Sequence, residues 1–268
     1  MVADVPILRI VLTGGPAAGK TTCLERTLDA LENLRIDSPV DSPLSRLRCF
    51  VVPEAATFLR NNCGFELREF DVTMQHSISE TQAAHENAVF RQARTRARTD
   101  GAPCVVLLDR GLLDASVFVS ENDCVDIMRQ VLGFESGLSF PECRSKVFER
   151  YDSVVFLQTA AANAQARKDY QSDEAEFEKS ESEDATRVHS ENSENLGRMR
   201  RNRSFTRHDE AEPPRHEAPG DAVRNCNALR RVYTLHPNAR IFDANADFDT
   251  KVSSAANHIV ELVKQHYS

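Results

Sequence analysis

Five short apolar runs punctuate the chain, and several stretches between them carry apolar residues at helical spacing. Ile7–Leu12, Cys49–Val52, Cys104–Leu108, Ser153–Leu157 and Arg240–Asp243 are too short for helices, and the pattern predicts five strands. The first ends in Thr13-Gly14-Gly15-Pro16, the second stops at Pro53, and the third runs into Asp109. From Lys20 to Leu34 apolar residues fall at 24, 28, 31 and 34, which predicts a helix. Residues 73–99 contain neither Gly nor Pro and predict a long helix closed by Asp100-Gly101. Its basic end (Arg91, Arg94, Arg96, Arg98) complements the helix dipole. A last helix spans about 249–265, and Ser38-Pro39 with Ser42-Pro43 marks a loop. Nearly all-apolar strands alternating with helices imply an α/β fold, a parallel five-stranded sheet flanked by helices.

One stretch breaks the pattern. Residues 168–221 carry 15 acids and 9 bases but only 10 hydrophobic side chains among 54 positions. Too little apolar area is available there to offset the entropy of ordering, so a largely disordered polar insertion before the last strand is expected. Acids crowd 173–184 and arginines crowd 198–207, which fits either a solvated insertion or a docking or phosphorylation element, Arg201 standing three residues before Ser204. The remaining residues are expected to form a single domain within 1–268, interrupted by this insertion.

Composition narrows the class. The net charge of −8 argues against a generic nucleic-acid binder, although most of that acidity belongs to the insertion. Without 168–221, 26 acids face 24 bases, so the body of the chain is close to neutral. No apolar run approaches the ~20 residues that span a bilayer, and the first residues lack the basic start of a secretory signal. Seven cysteines, an odd number and never closer than 14 residues apart, fit reduced thiols in a cytoplasmic protein. The eight histidines form no metal-like spacing and are expected to be surface or structural.

The chemistry concentrates where the first strand meets the first helix. Gly14-Gly15-Pro16-Ala17-Ala18-Gly19-Lys20-Thr21 satisfies the phosphate-loop pattern GxxxxGK[ST], with Thr22 following. Small residues let the backbone approach phosphate oxygens, and the backbone N–H groups and helix N-terminus offer partial positive charge. Lys20 would charge-pair the terminal phosphates, and the Thr21 hydroxyl can hold Mg²⁺. This is a nucleoside-triphosphate site, for ATP or GTP. Asp109, at the end of the third strand, is placed to orient Mg²⁺ as a second metal ligand. Arg110 can reach a substrate phosphate, clamp an acid, or form a structural ion pair. Glu54, in Val52-Pro53-Glu54-Ala55-Ala56, is the candidate general base for an acceptor hydroxyl, with a helix N-terminal role as the alternative. Arg167 and Arg215, flanking the insertion, are candidate lid cations. No guanine-reading NKxD motif is present; Asp243-Ala244-Asn245 stands by analogy where such folds touch the base.

The series Thr13-Gly14-Gly15-Pro16…Gly19-Lys20-Thr21-Thr22, Val52-Pro53-Glu54-Ala55-Ala56 and Asp109-Arg110-Gly111-Leu112-Leu113-Asp114 resembles the AAA-like P-loop domain shared by the NadR kinase region and the TRPL translocation defect protein. Further matches are Gln75, Glu86-Asn87, Tyr151-Asp152, His236-Pro237 and Asp247-Phe248-Asp249…Lys251. The resemblance covers about 7–161 and 215–262, and it implies a P-loop NTPase fold. The NadR branch implies phosphorylation of a nucleoside, ribosylnicotinamide, with ATP. The other branch implies GTP binding and membrane-protein trafficking, with a lipid-binding domain after the P-loop domain; this sequence ends at Ser268, soon after its last helix. Two functions follow as expectations: a Mg²⁺-dependent kinase-like phosphotransferase acting on a small nucleoside-like acceptor, or a GTP- or ATP-binding regulator that hydrolyses slowly.

Overall fold

The computed structural model describes residues 6–32, 34, 47–65, 71–159, 219–243 and 245–267. Residues 168–218 of the polar insertion, with the lid candidates Arg167 and Arg215, lie outside these residues; its last three, 219–221, open a helix rather than continuing the expected disorder. In chain order the elements are β1 (Ile7–Gly14), α1 (Lys20–Glu32), β2 (Arg48–Val52), α2 (Ala55–Cys63), α3 (Val72–Asp100) and β3 (Cys104–Asp109). A 3₁₀ turn (Leu112–Val117), α4 (Glu121–Leu132), α5 (Phe140–Phe148), β4 (Ser153–Leu157), α6 (Pro219–Tyr233), β5 (Ala239–Phe242) and α7 (Phe248–Tyr267) complete the list.

All five strands pair in parallel, in the order β2-β3-β1-β4-β5. The apolar runs are continuous because both sheet faces are covered. On β1, Leu8, Ile10 and Leu12 pack with Leu31 of α1 and Val252, Ile259 and Val263 of α7, whereas Val11 joins the core beneath α3, α4 and α5. The same alternation divides β3 into Val105 and Leu107 against Cys104, Val106 and Leu108. Two cores therefore sandwich one sheet.

Local chemistry sets the element ends. Asp71 caps α3 by accepting from the Met74 N–H at 2.7 Å, and Gly101 ends it in the left-handed region at φ 62°. Ser120 opens α4 by accepting from the Asp123 N–H, and Gly133 closes it at φ 70°. From β1 the chain crosses to β2 and β3 on one side and later fills β4 and β5 on the other. The carboxyl end of β1 is thus where the connections diverge, the crevice in which open α/β sheets place ligands.

Candidate functional site

The phosphate loop sits at that divergence. Gly14 closes β1 at φ 143°, and a Cβ there would collide with the Leu157 carbonyl oxygen of neighbouring β4. Gly19 has φ 88°, and a Cβ on it would meet Val252 and the Phe248 ring of α7. Ala17, at the exposed tip, holds φ 49° although it is not glycine, a conformation that costs energy. The loop is braced from outside as well: Thr159 Oγ1 donates to the Pro16 carbonyl at 2.5 Å, and Cys226 of α6 backs Gly15. Gly15, Pro16 and Ala18 are buried, Thr21 is exposed and Thr22 half-buried. Lys20, the first residue of α1, is buried, and its Nζ donates to the carbonyls of Gly15 (2.8 Å) and Gly14 (3.3 Å).

Register brings the second sequence element to the loop. β1 and β3 are direct neighbours with Leu12 opposite Asp109, so the carboxylate emerges beside the start of the loop. Asp109 Oδ1 is buried and has no hydrogen-bond partner. Burial and the nearby Glu54 charge push its pKa up to about 6, against the opposing pull of Lys20 and Arg110. A desolvated carboxylate oxygen without a donor is a costly arrangement, and a bound cation is one way of relieving it.

Arg110 organises the acids. It occupies the left-handed region at φ 70°, while its N–H still donates to Leu12 O and extends the ladder. Its Nε meets Glu54 Oε1 at 2.5 Å, its Nη1 meets Asp114 Oδ2 at 2.9 Å, and Nη1 also reaches Gly14 O at 3.4 Å. Burial alone would lower its pKa, but Glu54, Asp114 and Asp109 outweigh that and raise it, so it stays a cation. Glu54 is at the N-cap position of α2, yet its side chain does not cap the helix. It turns to Arg110 and to the Thr57 hydroxyl, which donates to Oε2 at 2.7 Å. The structure thus brings Lys20, Glu54, Asp109 and Arg110 together at one sheet edge, as the motif order anticipates.

Asp114 is the residue that motif reading left without a role. It accepts from Thr13 Oγ1 of β1 (3.1 Å), from Arg110, and from the Tyr233 hydroxyl of α6 (2.7 Å). Burial, reinforced by Asp114, raises the Tyr233 pKa well above its ordinary value, so the hydroxyl remains a donor. The spacing of four residues from Arg110 was the available signal.

A second polar group lies behind Arg110. Glu86 of α3 is fully buried and accepts from Arg150 Nε (2.9 Å) and the Tyr151 hydroxyl (3.0 Å). Burial raises its pKa while Arg150 opposes this. Gln82, one turn earlier, donates weakly to Glu86 and to Arg110 O, both at 3.3 Å. Ser79 and Gln75 continue the same helix face toward the N-terminus, each 2% exposed, with Ser79 Oγ and Gln75 Nε2 lacking any partner. In sequence this row looks like a solvated face; burial makes it a line of polar groups with unspent capacity.

The other edge of the sheet offers less chemistry. A cavity of about 870 Å³ opens there, lined in part by Leu8, Phe148, His236, Arg240 and His258. His236 is already used, Nε2 against Tyr151 O and Nδ1 accepting from the Asn238 N–H, and lining Asp152 is held by Arg9 at 2.7 Å. Among the described residues no group of three or more His, Cys, Asp or Glu side chains is arranged to hold a metal ion, and no helix is long and apolar enough to cross a membrane.

No curated protein matches the sequence. Solved structures similar to the chain include deoxyadenosine kinase from M. mycoides with the products dCMP and a flexible dCDP, at 12% identity and TM-score 0.42, covering 95% of this chain and 100% of that one. The same enzyme with bound dATP is also similar, at 12% identity and TM-score 0.42, covering 94% of this chain and 99% of that one. The family model described as "AAA domain" matches residues 9–212, a span that takes in the phosphate loop, Glu54 and the Asp109–Asp114 segment. The chain belongs to this AAA-domain family.

Proposed function

We propose that the chain is a Mg²⁺-dependent kinase-like phosphotransferase, which binds ATP or GTP at residues 14–22 and passes the terminal phosphoryl group to a small nucleoside-like acceptor. The observation that carries this reading is the Glu54–Arg110–Asp114 arrangement beside Lys20, because nucleotide binding alone requires no buried acid–arginine pair facing the loop. Glu54 accepts from Arg110 and Thr57, and a carboxylate oxygen accepts more than one hydrogen bond, so an acceptor hydroxyl can donate to it. Arg110 holds that carboxylate in place and carries positive charge toward the transferring group. Lys20 would exchange its two carbonyl partners for phosphate oxygens. The partnerless Asp109 oxygen and the Thr21 hydroxyl suit Mg²⁺, which when bound would neutralise charge on the phosphates. The buried row Gln75, Ser79 and Gln82 offers hydrogen bonds to the body of the acceptor.

The likeness to NadR's kinase region puts ribosylnicotinamide among the acceptors to assay. Seven unpaired cysteines support a reducing, cytoplasmic setting. We further read 1–268 as one domain and assign 168–221 to contact with a protein partner.

The test is phosphoryl transfer from ATP and GTP to a nucleoside panel, followed by ³¹P NMR. Wild-type protein should phosphorylate at least one acceptor. Glu54→Gln should keep MgNTP affinity and lose about 10²–10⁴ in transfer rate. Release of inorganic phosphate alone with every acceptor, or an unchanged rate in the variant, would overturn the kinase reading; slow hydrolysis alone is the behaviour of a nucleotide-dependent regulator.

A further inference from the structure

Besides Lys20, one other lysine among the described residues is buried, and the mechanism above leaves it unused. Lys251, in the first turn of α7, is 2% exposed. Its Nζ donates to the Gln158 carbonyl at 2.9 Å and lies 5.7 Å from the centre of the Phe248 ring. An ammonium has three N–H donors, and no carboxylate among the described residues is within ion-pair distance of this one. Burial lowers its pKa, opposed by Cys226 and, more weakly, by Asp243. A buried cation with a single neutral acceptor is expensive unless an anion arrives to compensate it.

Its neighbours show where that anion would be. Phe248 and Val252, on either side of it in α7, lie against Gly19 of the phosphate loop. Gln158, its acceptor, precedes Thr159, whose hydroxyl holds the Pro16 carbonyl. The backbone and ring that Lys251 touches are therefore the ones that brace the loop, on the side away from Glu54 and Arg110.

We propose that Lys251 is a further cation of the polyphosphate site, acting on the bound phosphate chain from behind the loop while Lys20 acts from its start. Its ligand class is a nucleoside di- or triphosphate. This rests on the nucleotide-binding reading of residues 14–22 and is independent of phosphoryl transfer.

The test is titration calorimetry of the full chain with MgATP and MgGTP, the matching diphosphates, the free nucleosides and inorganic tripolyphosphate. Lys251→Gln keeps an N–H donor for Gln158 O and removes the charge. Triphosphate and tripolyphosphate affinity should fall about tenfold, diphosphate affinity should fall less, and nucleoside affinity should not change. Lys251→Arg should stay within about threefold of wild type for the triphosphate. A loss that is equal for nucleoside and triphosphate would mean base reading or general loosening, and would overturn the proposal. So would unchanged affinity, or an arginine variant as weak as the glutamine one. If Lys251→Gln does not fold, Lys251→Met fills the same apolar space and must show the same grading with phosphate number. Failure of the underlying reading has its own signature: wild-type protein that binds none of the triphosphates, or Lys20→Ala that binds them as well as wild type.

Discussion

Asp109 carries a stability cost that its proposed role in holding Mg²⁺ would explain. Its folded-state pKa of about 6 exceeds the ordinary 3.8, so between those values the folded chain holds a proton that the unfolded chain has released. Stability from this group therefore falls as pH rises from about 4 to about 6, and the penalty is complete above that range. Asp109→Asn should raise the melting temperature at pH 8, by the equivalent of about 3 kcal/mol, and have little effect near pH 4. The same substitution should weaken Mg²⁺-dependent nucleotide binding. A melting temperature that drops at pH 8 would show that the carboxylate is better compensated than its partnerless oxygen indicates.

At the level of elements, α6 is the clamp on the site. It backs Gly15 with Cys226 and reaches Asp114 with Tyr233, and a Cβ on Gly111 would come within 2.7 Å of that tyrosine's hydroxyl. Tyr233→Phe removes one of the donors to Asp114 without opening a cavity, and should cost about 1–2 kcal/mol in urea unfolding. An unchanged urea midpoint would mean that the hydroxyl contributes nothing. The strands and α1 were legible in the sequence because apolar runs and helical spacing survive as patterns, and α3 because residues 73–99 are free of Gly and Pro. The helices α2, α5 and α6 were not: nine residues is too short for periodicity to declare itself in the first two, and α6 begins within the polar stretch. For α4 the signals were present, Ser120 before it and Gly133 after it, and went unread. The buried row Gln75, Ser79, Gln82 and Glu86 was beyond sequence reasoning for a different cause. Its polarity is the mark of a solvent face, and only the packing of α2, α4, β2, β3 and the 3₁₀ turn against α3 reverses that.

For the molecule as a whole, the sheet order does the positioning. Placing β3 beside β1 sets Asp109 and Arg110 against the phosphate loop, and β2 next to β3 delivers Glu54 to Arg110. Motif order therefore translated directly into spatial order for Lys20, Glu54, Asp109 and Arg110, since each follows the carboxyl end of a parallel strand. Asp114 and Lys251 escaped because their roles depend on contacts with elements distant in sequence. On this reading the carboxyl edge of the sheet holds a nucleoside triphosphate through Lys20. Titration calorimetry of MgATP and MgGTP into wild-type protein and Lys20→Ala tests it most directly. Wild type should bind at least one of the two, and the variant neither; equal affinity in the variant would contradict the account.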